Sequence, residues 1–532
     1  MNKIIYPIST SSFRTIREKG WFYVDKTDFI YRMATEGQYY FLSRPRRFGK
    51  SLLVSAMEAY FLGKKDLFEG LKISELEKDW IEYAVLHLDL SAGDMSSAEG
   101  LIARLEFDLH NWEEKYGSND AETTLATRFQ GIIRRAAQQT GKGVVVLIDE
   151  YDNPLFSTIE NKTENEEIRN LLKGIYSILK AESDNIRFCF LTGITRFSKM
   201  SVFSGLNNLN DITLTPGYSG ICGITACELQ DACKDGVATV ADKNNISIHT
   251  ALDQLKEMYD GYHFGDINLD IFNPYSLMHV FTEGQIKAYW FVSGTSQFLW
   301  KRIVSHADRR LLTRMLYPIL SDTDLGATED DGLSLSGLLF QTGYLTIKSY
   351  IPEISSYRLG IPNSEVREGI LKGLLPLASR QDSEAANDDL YQLRTYASQG
   401  EVDNMISYLK SFLAGISYRL TKKEPEIYYE NNLFLIFSLI GIDTQVEMNS
   451  SNGRMDIMMR SGNYLYIIEL KRDGSADEAL RQINEKDYAR QFAKEQMKDT
   501  DLKIISIGIN FSSEKRNIEA WKYEILQASA IK

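Results

Sequence analysis

Gly49, Lys50 and Ser51 close the stretch RPRRFGKS at 44–51, and their types and order are those of a phosphate-binding loop, G-x-x-x-x-G-K-[ST]. Arg44 stands where that pattern has its first glycine. In such a loop the backbone N–H groups and the positive end of a helix hold phosphate charge. Arg47, Phe48 and Gly49 would wrap the phosphates, Lys50 would reach the β- and γ-phosphates, and the Ser51 hydroxyl would ligate Mg²⁺. A basic loop entering an ordinary helix is the competing explanation. The stretch VVVLIDE at 144–150 weighs against it, being an apolar strand that ends in Asp149 and Glu150. This is the form of a Walker B element, in which the Asp holds Mg²⁺ through water and the Glu polarises an attacking water. Thr192 ends a further apolar strand, in the position of a sensor residue, and Arg196 or Lys199 beyond it could contact a γ-phosphate.

A second set of chemical residues lies in GRMDIMMRSGNYLYIIELKRDGSADEALRQI at 453–483. Asp456 follows a turn-like SSNGR, and YLYIIELK alternates as a strand, so Glu469 and Lys471 project to one face. Two carboxylates and a lysine on a bent hairpin are how D…(D/E)-x-K nucleases bind Mg²⁺. The carboxylates hold metal that stabilises the attacking and leaving oxygens, and the lysine orients or activates water. Gln482, on the following helix, is placed to complete such a site. The spacing alone is short and common, and a charged surface hairpin would also explain it.

The elements that must position these residues follow from hydrophobic pattern. Residues 39–43 (YYFLS) read as a buried strand, and SLLVSAMEAYF at 51–61 has helical spacing, so the loop sits between strand and helix. Further strands are expected at 84–90, 143–150 and 186–192, with helices over 97–115, 122–139 and 165–182. Apolar strands alternating with helices imply a parallel α/β sheet. From about 217 the alternation gives way to helices with loop breaks, and a helix and strand group follows at 333–362. The polar segment 379–389 reads as an exposed loop. KKEPE at 422–426 breaks the chain before a helix–strand–strand–helix pattern that runs to the end of the sequence.

A chain of 532 residues exceeds a single core, and about 150 residues per domain suggests three or four domains. With 43% hydrophobic and 25% charged residues the composition is that of a globular protein. No apolar run approaches the ~18 residues of a membrane span, LFLIFSLIGI at 433–442 being the longest candidate, and MNKIIYPISTSSF lacks the apolar core of a signal peptide. A cytoplasmic location is expected, in agreement with four cysteines. Cys222, Cys227 and Cys233 lack the C-x-x-C spacing of zinc sites and read as reduced thiols. The net charge of −13 argues against a surface coated for nucleic acid, yet charges screen over ~8 Å, so one basic groove could still hold a phosphate backbone.

FYVDKTDFI (22–30), RPRRFGKS (44–51), LIDEYDNPL (147–155), LTGITRFSK (191–199), LNNLNDIT (206–213), YDGYHFG (259–265) and NPYSL (273–277) together resemble the bacterial AAA-ATPase-like family. The resemblance continues through TGYLTIK (342–348) and IPNSEVRE (361–368) over nearly the whole chain. It implies that Arg44 is a feature of the family's loop, and that the chain is an ATPase related to the AAA and signal-transduction NTPases. YYENNLFLIFSLIG, VEMNSSNGRMD, YIIELKRDGSADEALRQI and DYARQF resemble the PD-(D/E)xK-superfamily domain that accompanies that ATPase. That likeness implies core roles for Asp456, Glu469 and Lys471, with Glu430, Glu447 and Gln482 in support.

The expectation is thus an α/β protein in four parts: an AAA-like P-loop ATPase domain at 1–216, a helical lid at 217–330, a winged-helix-like middle region at 331–421, and a PD-(D/E)xK nuclease-like domain at 422–532. ATP and Mg²⁺ are the cofactors, DNA or RNA the partner, and no membrane is involved. One rival is an NTPase switch whose nuclease-like domain only binds nucleic acid or protein. The other is a phosphotransferase, against which Glu150 favours hydrolysis.

Overall fold

The computed structural model describes residues 4–196, 206, 208–290, 317–326, 335–379, 383–419, 437, 443–450, 453–492 and 501–526. Two compact units emerge, one containing the chain to Trp290 together with Pro318–Asn363, the other beginning at Ser364.

The first unit is built on a five-stranded sheet of β1 (Tyr39–Ser43), β2 (Val85–Asp89), β3 (Val144–Asp149), β4 (Ile186–Gly193) and β5 (Asn210–Asp211). Its order is β2-β3-β4-β1-β5 and every pairing is parallel. The expected strands and helices are present within a few residues, the helices spanning Lys50–Phe61, Ala98–Tyr116, Leu125–Thr140 and Lys162–Ala181. β1 and β3 are buried at every position, because helices cover both faces of the sheet. Leu86, Leu88, Leu101, Leu105, Ile132, Val146, Ile148 and Leu172 make the core on one side. β4 lies between β1 and β3, so the phosphate loop and Asp149 leave the same edge of the sheet one strand apart. The carboxyl ends of parallel strands are where α/β sheets bind ligands.

Helices Ala226–Asp231, Lys234–Asn244, Ile248–Tyr259 and Pro274–Glu283 follow, with a short antiparallel pair of β6 (Ile224–Thr225) and β7 (Ile271–Phe272). Val237, Val240, Leu255, Phe272, Leu277 and Phe281 give them a core of their own. The 333–362 group is a helix, Leu335–Gln341, and a hairpin of β9 (Thr346–Ile351) and β10 (Ser356–Gly360), to which β8 (Ile319–Ser321) adds antiparallel. This group belongs to the first unit. Buried His263 joins the hairpin to the preceding helical region, its backbone N–H donating to Thr346 Oγ1 at 2.8 Å and its Nδ1 lying 2.8 Å from the Ile347 carbonyl.

The second unit begins with helices Ser364–Ser379, Ser383–Gln399 and Val402–Arg419. The loop expected over 379–389 is therefore helical from Ser383. Asp389 is not idle solvent-facing polarity, since its carboxylate accepts the Tyr408 hydroxyl at 2.6 Å. A five-stranded sheet follows in the order β11-β12-β13-β14-β15. Its strands are β11 (Asp443–Ser450), β12 (Gly453–Ser461), β13 (Tyr464–Arg472), β14 (Lys503–Ser512) and β15 (Asn517–Leu526). Only β13 and β14 pair in parallel, and the helix Ala476–Glu485 makes their crossover. The expected helix–strand–strand–helix ending is corrected: β14 and β15 close the described chain as strands. KKEPE at 422–426 lies outside the described residues.

Candidate functional site

β1 delivers the chain to Arg44, whose N–H still donates to the Gly193 carbonyl at 3.2 Å and so extends the ladder to β4. The loop then turns through two left-handed residues, Arg47 at φ 69° and Gly49 at φ 92°. Gly49 is the N-cap of the helix Lys50–Phe61, a backbone that glycine adopts at no steric cost. Arg47 and Gly49 are exposed, Phe48 is buried, and the Arg47 guanidinium lies 4.7 Å from the Tyr275 ring centre. Phe48 packs edge-on against Tyr262 and Phe264 and its carbonyl accepts the Gly223 N–H at 3.1 Å. The YDGYHFG stretch thus forms the bed of the phosphate loop.

Lys50 is buried, and its ammonium lies 3.4 Å from Glu150 Oε1 and 3.4 Å from the Pro45 carbonyl. Ser51 lies near the Asp149 carboxylate, which is only 3% exposed, and favours its charged form. Burial, then the neighbouring Glu150 charge, pushes the Asp149 carboxyl up to about 6, against the opposing pull of Ser51 and Lys50. Glu150 sits in the left-handed region at φ 52°, which turns the chain sharply after β3. Loop lysine, helix serine and both strand-end acids therefore converge at one sheet edge. A buried carboxylate beside a hydroxyl is an oxygen donor set that fits Mg²⁺.

Thr192 and Arg196 stand differently. Thr192 is fully buried and its hydroxyl donates to the Leu42 carbonyl at 2.8 Å, so it ties β4 to β1. Arg196 bridges two carboxylates, Nε to Asp211 at 2.6 Å and Nη1 to Asp322 at 2.8 Å. Burial acts to lower its pKa, and the two acids outweigh that and raise it. Lys199 lies outside the described residues.

Asp152 carries a role the sequence did not suggest. Fully buried, it accepts the backbone N–H groups of Ile194 (3.0 Å) and Thr195 (2.6 Å), joining the turn after Glu150 to the turn after β4. Its place two residues beyond Glu150 was the one available signal.

In the second unit, Glu469 and Lys471 are two apart on β13. Asp456 on β12 lies next to the Ile457–Ile468 pair, and its Oδ2 accepts the Leu470 N–H at 2.9 Å. Gln482 bridges the other two, its Nε2 donating to Glu469 Oε1 and its Oε1 accepting the Lys471 ammonium at 2.5 Å. The helix bearing Gln482 can approach this closely because Gly508 of β14 has no side chain: a Cβ there would strike the Ala476 carbonyl and the Leu480 N–H. Glu469 is 3% exposed, and with Asp456 it offers hard oxygen donors of the kind Mg²⁺ takes. Buried Tyr488 hydrogen-bonds Gln482 and senses the charges of Glu469 and Asp456. Nothing local in DYARQF marks it. Glu447 lies on β11 between Val446, paired with Ile457, and Met448, paired with Met455, which puts it in the row of Asp456. Glu430 lies outside the described residues.

No helix among the described residues is long and apolar enough to cross a membrane. Residues 7–203 match a family model described as predicted AAA-ATPase, and residues 424–521 match that of the PD-(D/E)XK nuclease superfamily. Over 539 residues the chain is 31% identical to an uncharacterized protein in the vnfD 5' region of Azotobacter chroococcum mcd 1, spanning 99% of this chain and 100% of that one. No solved structure matches.

Proposed function

Because this chain belongs to the predicted AAA-ATPase family and carries a PD-(D/E)XK nuclease superfamily region, we propose that it hydrolyses ATP at the first site and acts on nucleic acid through the second. The observation that carries the first half is the convergence of Lys50, Ser51, Asp149 and Glu150 at the end of β1 and β3. Lys50 would exchange its 3.4 Å contact with Glu150 for the β- and γ-phosphates, freeing the Glu150 carboxylate to orient and deprotonate water. Ser51 and Asp149 would hold Mg²⁺, which when bound neutralises charge on the phosphates. Arg196 is committed to Asp211 and Asp322, so a γ-phosphate contact by it requires release from at least one of them.

At the second site Asp456 and Glu469 would hold the divalent metal, which when bound stabilises charge on the reacting phosphate. Lys471 and Gln482 would position water, the lysine being held by Gln482 at 2.5 Å with Glu469 3.9 Å from its ammonium. The substrate class is DNA or RNA, and the reaction is phosphodiester hydrolysis. Four free cysteines support a reducing, cytoplasmic setting. The test is purified protein assayed for ATP turnover, and for Mn²⁺-supported cutting of single- and double-stranded DNA and RNA, with ATP present and absent. Turnover together with cutting supports both halves. Turnover without cutting of any substrate leaves the switch reading for the second site, and absence of both defeats the proposal.

A further inference from the structure

The first glycine of the phosphate-loop pattern is Arg44 here, and the structure shows what the exchange accomplishes. Arg44 is not among the left-handed residues of the loop, so its backbone does not demand glycine. Arg44 is 1% exposed, and its side chain runs to the 213–218 segment and to Phe264. Nη1 donates to the Ser43 and Thr213 carbonyls at 2.9 Å each, and Nη2 to the Tyr218 carbonyl at 3.3 Å. The guanidinium carbon lies 4.2 Å from the centre of the Phe264 ring, the ring that also packs against Phe48. Arg44 therefore fastens the start of the loop to two segments remote in sequence, 213–218 and 259–265.

Its partners are also electrically unusual. Each hydrogen-bonded acceptor is a neutral carbonyl, and no carboxylate among the described residues lies within ion-pair distance of it. Burial lowers the guanidinium to about 10, which leaves it cationic at neutral pH. The Asp211 carboxylate acts on it from beyond ion-pair distance but is already paired with Arg196 at 2.6 Å, and a buried charge so incompletely compensated is costly unless something else in the site offsets it. A polyphosphate on the loop is such a group, and field from a buried cation is screened far less than from a surface one.

We propose that Arg44 is a positioning residue of the nucleotide site, whose buried guanidinium takes over the work of the missing glycine by fixing the loop to Thr213, Tyr218 and Phe264 and by supplying a fixed positive charge within the phosphate loop. Being only 1% exposed, Arg44 would act through the loop and its field and not by contact with the nucleotide. The inference rests on the ATP reading of the same site.

Three variants separate its parts. Arg44→Gly restores the standard motif, Arg44→Met keeps length and removes charge, and Arg44→Lys keeps charge and removes the planar fork. Binding of MgATP and MgADP to the full chain is measured well below the melting temperature of each variant. Arg44→Gly and Arg44→Met weaken MgATP by about tenfold or more, and MgATP loses more than MgADP because it carries more charge. Arg44→Lys restores part of the affinity and most of the preference for ATP. In turnover the loss falls on KM, with kcat changed little, because Arg44 acts on loop and charge and not on the reacting water. Should Arg44→Gly and Arg44→Met fail to fold, Arg44→Lys carries the test through a several-fold loss of MgATP affinity. Wild-type affinity in Arg44→Gly, or in any folded variant whose only defect is a lower melting temperature, overturns the inference. Wild-type protein that binds neither nucleotide overturns the ATP reading itself, an outcome distinct from the first.

Discussion

Replacing Asp260 by asparagine should make the protein more stable at pH 8 than at pH 5, relative to wild type. Asp260 directly follows the helix Ile248–Tyr259, where its charge faces the negative end of the helix dipole. It is 2% exposed, and neither carboxylate oxygen has a well-aligned hydrogen-bond donor among the described residues. Burial chiefly pushes its pKa from 3.8 up to about 7; the nearby Asp270 carboxylate adds to the rise, while the Gly261 N–H, Lys256 and Lys348 oppose it. The folded protein therefore holds this proton more tightly than the unfolded chain, and stability is lost as pH rises from about 4 through 7. A shift of about three units at ~1.4 kcal/mol each sets an upper bound near 4 kcal/mol, of which roughly 2.5 kcal/mol develops between pH 5 and pH 8. Asp260→Asn carries none of that dependence, and every other charged group is the same in both proteins, so their contributions cancel to first order. Urea unfolding of the full chain at pH 5, 6, 7 and 8 reads the difference. A gap between variant and wild type that stays constant with pH, or grows toward acid, would refute the reasoning.

Asp456→Ala and Lys471→Ala should each abolish Mn²⁺-supported cutting while ATP turnover continues, as read by gel assay and phosphate release on the same preparations. Nucleic-acid binding should fall steeply with salt and survive Lys471→Ala in part, which a titration at 50 and 200 mM salt would show, those being roughly the bounds over which phosphate contacts lose most affinity. Gly508→Val should drive the helix Ala476–Glu485 off β14 and cost about 1–3 kcal/mol or more, with loss of cutting, because the obstructing atoms are backbone. A fragment beginning at 364 should melt cooperatively and one beginning at 422 should be markedly less stable. The shorter piece loses the Tyr466–Ala397 (2.6 Å), Trp521–Asp403 (2.9 Å) and Asn517–Lys410 (3.0 Å) hydrogen bonds.

The parallel sheet of the first unit was legible because each buried strand is a short apolar run bounded by a helix with its own period, as YYFLS before SLLVSAMEAYF shows. The acids at 149–150 and the Lys50–Ser51 pair were legible for the same reason, standing at strand and helix ends. β14 carries a strand signal too, alternating Ile505, Ile507, Ile509 and Phe511 with Ser506, Gly508, Asn510 and Ser512, and only its burial at nine successive positions departs from the half-exposed strand that such alternation implies. Helix Ser383–Gln399 was hidden by composition, its acidic first turns resembling a loop although acids at a helix start favour it. Contacts between distant segments left no local mark at all. Arg44 meets Thr213, Tyr218 and Phe264, and Tyr488 meets Gln482, and none of these partners is implied by neighbours in sequence.

The central claim is that Lys50, Ser51, Asp149 and Glu150 form an ATP-hydrolysing site, and a paired measurement on Lys50→Ala and Glu150→Gln tests it most directly. MgATP binding and phosphate release are followed on wild type and both variants under one set of conditions. The account predicts that Lys50→Ala no longer binds ATP, and that Glu150→Gln binds it as wild type does but turns over ~10²–10³-fold more slowly. Undiminished ATP affinity in Lys50→Ala, or wild-type turnover in Glu150→Gln, would contradict it.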